Sequence, residues 1–301
     1  MSICIFCHND SSTSKSIEHI IPESLGNKHH FLPKGYVCDA CNHYFAVKVE
    51  KELLEQPYFI SMRFRNEILT KKGKLVKEKM IFPSTLKSCE VVIQTTKNGL
   101  IALFDKKGNE ELLELIKTGK AKTMISPYIP IPEYPSTIVS RFLAKCAYEY
   151  FLYNMGKDKY ELCVQELLGN ECDLLKDLRE YARYGKGTYW QYNQRRIYSE
   201  GDCVFNQNEN IYYEILHEMK LFTKEYKRYP NGKIEAEVYF VMSLAGIEYA
   251  ICISDPNISE YQKWLEEHNG ISPLKDDTET FTFSLSDMNP ILIKKDDNRI
   301  H

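Results

Sequence analysis

The chain has 301 residues, of which 43% are hydrophobic and 12% aromatic, and its formal net charge is −3. This composition argues against a largely disordered chain, because it supplies enough apolar surface for a sizeable core. It also excludes a polycation that binds nucleic acid by bulk charge alone. The first residues do not form a signal peptide, and no apolar run approaches the roughly 20 residues of a membrane span. A cytoplasmic location is therefore expected.

Two closely spaced cysteine pairs lie near the amino terminus. Both have the form Cys-x-x-Cys, Cys4 with Cys7 and Cys38 with Cys41. Each pair places two thiolates on one tight turn, and two such turns complete a tetrahedral zinc site. The pattern predicts one structural Zn²⁺ held by all four thiolates, with a redox pair or two unrelated turns as the alternatives. The other six cysteines are scattered, several in apolar runs, and are expected to be buried and reduced.

The segment between the pairs contains "SIEHIIPESLGN", in which Glu18 directly precedes His19. A histidine ordinarily titrates near pH 6.5 and can accept a proton at neutral pH, whereas a carboxylate is a ligand for hard divalent ions. The second pair continues as "CDACNHYFAVKVEKELLEQ", which has helical spacing from Ala46 to Gln56. Pro57 is expected to break or kink that helix.

These elements together resemble the HNH endonuclease family, in its zinc-stapled form with a ββα-metal finger. The resemblance covers residues 1–60. It implies that His19 is the general base that deprotonates the attacking water, and that Glu18 binds the catalytic divalent ion. It also implies that Asn42, directly after the last cysteine of the second pair, orients the loop that carries the base.

The last metal ligand of the family pattern falls on Lys51, which cannot bind a metal ion while it is charged. The adjacent Glu50 can, and it is the predicted second ligand of the catalytic ion. Oxygen ligands favour Mg²⁺ or Mn²⁺ over a second zinc ion. Three histidines remain alternative ligands: His29, His30 and His43. The expected cofactors are therefore one structural Zn²⁺ and one catalytic Mg²⁺ or Mn²⁺.

Residues 61–80 form a basic segment that follows this finger. They contain seven Lys or Arg and two Glu residues, whereas residues 1–60 contain five basic and seven acidic residues. A nuclease must bind phosphates, so this segment is the nearest candidate, with a solvated charged hairpin as the alternative. The residues predicted to bind nucleic acid are Arg63, Arg65, Lys71 and Lys72.

Strand and helix patterns alternate along the rest of the chain. Three strand patterns, "KLVKEKMIF", "CEVVIQTT" and "LIALFD", precede a short helix near Asn109–Thr118. A long helix is predicted from Ser136 to Gly156, followed by shorter helices at Lys159–Leu168 and Glu171–Tyr184. Strands resume near Trp190, and the clearest are "IEAEVYFVMSL" and "IEYAICIS". The tail, with "TFTFSL" and "PILI", is expected to hold a final strand.

The predicted fold class is α+β, with a zinc-bound ββα-metal finger followed by a larger mixed domain. The predicted divisions are a finger at residues 1–60, a basic and β-rich part at 61–130, and a helical then β-rich domain at 131–301. In residues 179–199, basic and aromatic side chains alternate. Such a stretch can bind nucleic acid by stacking and ion pairing, or it can be a tyrosine-rich edge of the core.

The sequence therefore predicts a metal-dependent endonuclease that hydrolyses phosphodiester bonds in nucleic acid, in DNA rather than RNA. By analogy, such a protein can be a bacterial restriction or anti-phage defence effector. The alternatives are a non-catalytic zinc module that binds nucleic acid and a protein-interaction scaffold. A homo-oligomer or a partner protein bound through the carboxy-terminal domain is also an open expectation.

Overall fold

A computed structural model describes residues 2–155, 175–199, 202–206, 211–228, 234–275 and 291–293. The helix predicted at Lys159–Leu168 and the segment "TFTFSL" lie outside these residues. The described helices and strands confirm the α+β fold class. They form two compact units, the first comprising Met1–Pro22, Asn27–Leu53 and Tyr134–His301, and the second comprising Glu23–Gly26 and Leu54–Glu133.

The second unit contains a three-stranded antiparallel sheet of order β1–β2–β3. Its strands are β1 (Glu78–Phe82), β2 (Lys87–Thr96) and β3 (Gly99–Leu103), which confirms the three predicted strands. The predicted short helix is also confirmed, at Glu110–Lys117. The buried core residues of this unit are Phe64, Met80, Phe82, Cys89, Val91, Leu112 and Ala121.

The first unit contains two antiparallel sheets. The larger has the order β4–β9–β8–β7, and the smaller has the order β10–β5–β6. The strands of the larger sheet are β4 (Tyr192–Arg196), β7 (His217–Arg228), β8 (Ile234–Leu244) and β9 (Ile247–Cys252). Those of the smaller are β5 (Cys203–Asn206), β6 (Ile211–Glu214) and β10 (Ile291–Ile293).

Helices of the first unit begin close to the second cysteine pair. A helical segment comprises α1 (Asp39–Phe45), a π-helical turn (Ala46–Glu50) and α2 (Lys51–Leu54). It begins seven residues before the predicted Ala46, because the Cys38 sulfur accepts a hydrogen bond from the Cys41 amide and caps the first turn. The predicted break is confirmed, since α2 ends before Pro57, which is the first residue of α3 (Pro57–Arg65) in the second unit.

The long helix α5 (Thr137–Met155) organises the first unit, and its predicted start is confirmed. It packs against β8, β9 and α6 (Lys176–Tyr184). The amide of Val139 donates to the Ser136 hydroxyl, which caps the helix. The hydrophobic residues buried along α5 are Val139, Phe142, Leu143, Ala144, Cys146, Ala147, Tyr148, Tyr150 and Leu152. The remaining helices are α4 (Glu110–Lys117) and α7 (Ser259–Glu267).

The amino-terminal finger packs directly on α5. The ring of Phe6 lies 4.5 Å from that of Phe45 and 5.2 Å from that of Tyr148, between ring centroids. The Tyr148 hydroxyl donates a 2.9 Å hydrogen bond to the Ile5 carbonyl. A side chain of α5 therefore extends the core of the finger and pairs a buried backbone carbonyl in the first cysteine turn.

No helix among the described residues is both long enough and apolar enough to cross a membrane.

Two substitutions at Tyr148 should distinguish the contribution of ring packing to the free energy of unfolding from that of the hydrogen bond. We expect Tyr148→Ala to lower the free energy of unfolding by about 3–5 kcal/mol, as for loss of a buried aromatic ring. Tyr148→Phe should cost about 1 kcal/mol, because it removes only the bond to the Ile5 carbonyl. Chemical denaturation of the two variants provides the measurement. Tyr128→Ala, which removes a tyrosine that is 88% exposed, is the control and should change stability by less than about 0.5 kcal/mol.

Candidate functional site

The four predicted zinc ligands converge on one point. The sulfur atoms of Cys4, Cys7, Cys38 and Cys41 all lie within 4.8 Å of one another. The Cys7 and Cys38 sulfurs are 3.6 Å apart. In a tetrahedral site with zinc–sulfur bonds of about 2.3 Å, the sulfurs are about 3.8 Å apart, so the cluster fits a structural Zn²⁺. Four protein ligands fill such a site and leave no position for water or substrate.

Hydrogen-bond donors surround the four sulfurs. The Cys38 amide donates to Cys4 Sγ and the Cys41 amide to Cys38 Sγ, each at 3.4 Å. The guanidinium of Arg183, on α6, donates through Nε to Cys41 Sγ at 3.3 Å and lies 3.7 Å from the centre of the Tyr44 ring. Donors of this kind stabilise thiolates and orient them toward a metal ion.

The hydrogen bonding within the cluster favours a thiolate at neutral pH. A hydrogen bond donated by the Cys41 thiol lowers the pKa of Cys4 to about 4. The same bond, with burial, raises the pKa of Cys41 above its ordinary range. Zinc binds the thiolate form of cysteine, and this hydrogen bond favours that form at Cys4.

His19 lies on a short hairpin between the two cysteine pairs. It forms an antiparallel bridge with Phe31, and the two rings are 5.9 Å apart. The hairpin is held by the Ile20 amide bound to the His30 carbonyl and the Leu32 amide bound to the Glu18 carbonyl. His19 is half-buried, whereas Glu18 is 4% exposed. The hairpin contains a single β-bridge, and together with the helix that begins at Asp39 it corresponds to the ββα arrangement that the resemblance implies.

Two asparagines fix the backbone around this hairpin. The side chain of Asn42 donates to the carbonyl of Ile17, two residues before His19. The buried side chain of Asn27 donates to the carbonyls of Ile21 and His30 and accepts from the His30 amide. The contact made by Asn42 is compatible with the predicted orienting role. No role was predicted for Asn27 from the sequence, although it is the last residue of the segment "SIEHIIPESLGN".

A buried lysine joins the two predicted ligands of the catalytic ion. Lys145 Nζ, on α5, lies 2.6 Å from Glu18 Oε1, 3.0 Å from Glu50 Oε1 and 3.3 Å from Glu149 Oε2. It also donates a 2.9 Å hydrogen bond to the carbonyl of His19. The Lys145 and Glu149 side chains are fully buried. The structure therefore brings Glu18 and Glu50 together, with an ammonium between them.

Burial and the attraction between opposite charges have opposite effects on the pKa values of this cluster. Burial alone would lower the pKa of Lys145, but attraction by Glu149, Glu18 and Glu50 outweighs burial and raises it well above the ordinary range. Burial raises the pKa of Glu149 well above its ordinary range, and Lys145 only partly offsets this. Attraction by the three carboxyl groups therefore favours the charged form of Lys145, whereas burial disfavours the charged form of Glu149.

The cluster does not fit a divalent ion in this arrangement. Mg²⁺ requires oxygen ligands at about 2.1 Å in octahedral geometry. Within the described part of the chain, the four thiols are the one group of three or more side chains arranged to hold a metal ion. The carboxylates of Glu18, Glu50 and Glu149 instead surround the ammonium, in contact with it. The assignment of Glu18 and Glu50 to a catalytic ion stays a prediction.

The alternative histidine ligands lie in different environments. His29 and His43 are exposed, whereas His30 is buried, with its ring 6.4 Å from that of Tyr153. Of the predicted nucleic-acid-binding residues in the second unit, Arg65, Lys71 and Lys72 are exposed, and Arg63 is 8% exposed. Burial lowers the pKa of Arg63 below its ordinary range.

The aromatic residues of the stretch 179–199 lie mainly in the core. Tyr181, Trp190, Tyr192 and Tyr198 are all buried. Its arginines have partners within the chain: Arg179 contacts His8, Arg183 contacts Cys41, and Arg195 pairs with Glu248. This arrangement corresponds to the core-edge alternative for the stretch.

Loss of one thiolate should remove the zinc ion. We expect the purified chain to hold about one zinc ion and Cys38→Ser to hold almost none, because three remaining thiolates do not close a tetrahedral site. Metal analysis together with circular dichroism provides the measurement, and the finger should unfold with the loss of zinc. Cys89→Ser, which alters a buried cysteine outside the cluster, is the control and should keep its zinc. Full zinc content in folded Cys38→Ser would contradict the assignment.

Comparison with known proteins bears on the amino-terminal segment. Residues 4–58 match the family described as HNH endonuclease. No curated protein and no solved structure gave a significant match to the chain. The matched segment contains all four zinc ligands, the hairpin of His19 and the helix of Glu50. The resemblance of this segment to HNH endonucleases is therefore confirmed, and it supports a role that involves nucleic acid.

Proposed function

We propose that this chain is an endonuclease that hydrolyses phosphodiester bonds in nucleic acid, in DNA rather than RNA, with His19 as the general base. The observation that carries the proposal is the position of His19. It is half-buried, on a hairpin that precedes the second cysteine pair, within the segment that matches HNH endonucleases. A base in this position keeps contact with solvent while its backbone is held on both sides.

The proposed step is hydrolysis by an activated water molecule. His19 takes a proton from water, whose oxygen bonds to phosphorus while the bond to the 3′ oxygen breaks. The 3′ oxygen then takes up a proton. Catalysis by a positioned base depends on its orientation, and three contacts supply orientation here. Lys145 holds the carbonyl of His19, Asn42 holds that of Ile17, and Phe31 packs beside the His19 ring.

The second unit supplies the proposed contact with phosphates. Lys71 and Lys72 are exposed in a tight turn that is closed by two hydrogen bonds between Thr70 and Lys74 or Gly73. An exposed turn with adjacent ammonium groups can approach a phosphate backbone without rearrangement. Arg63 is buried, so Lys71 and Lys72 carry this part of the proposal.

A non-catalytic zinc module that binds nucleic acid is a second candidate. The contact of Lys145 with Glu18 and Glu50 favours it, because the ammonium occupies the place predicted for a catalytic ion. The two candidates differ in one measurement. A nuclease nicks plasmid DNA when Mg²⁺ or Mn²⁺ is supplied, whereas the binding module retains DNA without cleaving it.

Removal of the proposed base should abolish cleavage and leave the fold unchanged. We expect His19→Ala to lower the rate of plasmid nicking by a factor on the order of 10² or more, as for loss of a positioned base. Zinc content and DNA affinity should stay at the level of the unaltered chain, because the imidazole belongs to neither site. Nicking under single-turnover conditions provides the rate.

His268→Ala is the control for this experiment, since it removes an exposed histidine outside the segment that matches HNH endonucleases. Its rate should stay within a few fold of the unaltered chain. Cleavage at full rate by folded, zinc-loaded His19→Ala would exclude His19 as the base.

Neutralising the exposed turn should change the salt dependence of DNA binding. Each phosphate contact contributes about −0.9 to the slope of log K against log salt concentration. We expect Lys71→Gln/Lys72→Gln to reduce the magnitude of that slope by about 1.8 if both side chains contact phosphates, and to weaken binding equally for all DNA sequences. Fluorescence anisotropy over a range of salt concentrations provides the slopes.

The matched control is Lys106→Gln/Lys107→Gln, which neutralises another adjacent pair of exposed lysines in the same unit. An equal change of slope in both double variants would show bulk charge and not a contact at the turn. An unchanged slope in Lys71→Gln/Lys72→Gln would remove the turn from the DNA-binding surface.

A further inference from the structure

Helix α5 inserts one cation into the amino-terminal finger. Lys145 lies outside the segment that matches HNH endonucleases, and 126 residues separate it from His19. Its neighbours on α5 are buried hydrophobic side chains, including Leu143, Ala144 and Cys146. A charge in such a position must be satisfied by partners within the protein, because water does not reach it.

The atoms that pair with the Lys145 ammonium by ion pairs and hydrogen bonds are oxygens, and the ring of Phe45 lies 5.7 Å from Nζ. Three carboxylates and one carbonyl surround the ammonium, at 2.6–3.3 Å. An ammonium has three donors and no acceptor, so an environment of oxygen atoms matches its chemistry. The two carboxylates nearest to Nζ belong to Glu18 and Glu50. These are the residues that the resemblance to HNH endonucleases assigns to the catalytic ion.

We propose that the Lys145 ammonium and a divalent ion are mutually exclusive occupants of the space between Glu18 and Glu50, and that the ammonium excludes the ion in this conformation. The inference rests on the proposed role of these two carboxylates. It makes the centre a latent one, to which Mg²⁺ or Mn²⁺ gains access when the lysine side chain withdraws.

Two further observations support exclusion and not coexistence. The Lys145 and Glu149 side chains have no exposed surface, and those of Glu18 and Glu50 are 4% and 9% exposed, so the cluster is closed to a hydrated ion. Mg²⁺ also gives up its water reluctantly and usually retains several water molecules. An ion that enters this cluster must therefore displace the ammonium and draw the carboxylate oxygens together.

A second contact attaches the backbone of this hairpin to α5 independently of the ammonium. The thiol of Cys146 donates to the carbonyl of Ile20, at 3.0 Å. The backbone of residues 19 and 20 thus accepts from two adjacent side chains of α5. Replacing Lys145 leaves the hydrogen bond from Cys146 to the Ile20 carbonyl. The hairpin therefore stays attached to α5 when the ammonium between the carboxylates is removed.

Binding of Mn²⁺ to the zinc-loaded full chain tests the proposal. Free Mn²⁺ is followed by electron paramagnetic resonance in the unaltered chain, in Lys145→Met and in Lys145→Met/Glu18→Gln. If the conformation without the ammonium is populated at about 1%, the apparent affinity of the unaltered chain is reduced about 100-fold. We therefore expect Lys145→Met to bind one Mn²⁺ on the order of 100-fold more tightly than the unaltered chain, and Lys145→Met/Glu18→Gln to lose that gain.

Lys220→Met is the matched control, because Lys220 is another buried lysine of the same unit, and it donates to the carbonyl of Pro273. It should leave Mn²⁺ affinity unchanged. Should Lys145→Met fail to fold, Lys145→Met/Glu149→Gln removes a positive and a negative charge together and serves in its place. Circular dichroism and zinc content verify the fold of each variant.

Two results would overturn the proposal. One is a Mn²⁺ ion bound by the unaltered chain as tightly as by Lys145→Met and lost in Glu18→Gln. The other is a folded Lys145→Met chain with no gain in affinity. Neither depends on cleavage, so the proposed nuclease activity is tested separately. An inactive chain whose Lys145→Met variant gains Mn²⁺ would refute the activity alone. An active chain that binds Mn²⁺ at Glu18 as tightly as Lys145→Met binds it would refute the exclusion alone.

Discussion

The buried ammonium of Lys145 is the interaction on which the amino-terminal part of the first unit depends. It contacts the hairpin through Glu18 and the carbonyl of His19, and the helical segment through Glu50. A buried charge without partners is strongly unfavourable, and loss of one partner of a buried ion pair typically costs about 3–5 kcal/mol. The hairpin, the helical segment and α5 must therefore assemble together. This explains why residues 1–53, apart from 23–26, form one compact unit with residues beyond 134.

The cluster of four cysteines also contacts a basic side chain from a helix that follows residue 134. Four thiolates carry more negative charge than one Zn²⁺ neutralises, and Arg183 of α6 donates to one of them. Both the thiol cluster and the carboxylate cluster thus contact a cation from a helix that follows residue 134. The finger itself is acidic, with seven acidic and five basic residues in 1–60. The basic groups that balance its two clusters are supplied by α5 and α6.

The parts of the structure that follow from local patterns could be predicted from the sequence. Cysteine spacing identified the four thiols, and apolar periodicity located α5 and the three strands of the second unit. The partners of Glu18 and Glu50 could not be predicted in this way, because Lys145 is far from both in sequence. The number of basic residues in segment 61–80 also does not indicate which of them are exposed. Arg63 and Arg65 appear equivalent in composition, but their positions on α3 leave the first buried and the second exposed.

One signal for the carboxylate cluster was nevertheless present in the sequence. In "FLAKCAYEYF" a lysine and a glutamate stand four residues apart in an otherwise apolar helix, and such a spacing places both on one face. A helix buried over most of its surface cannot expose that face to water, so the pair requires further partners inside the protein. One glutamate does not complete the hydrogen bonding of an ammonium, which has three donors. The finger contains the carboxylates that complete it. The electrostatics of the candidate centre are therefore determined jointly by the matched segment, residues 4–58, and by a helix that lies outside it.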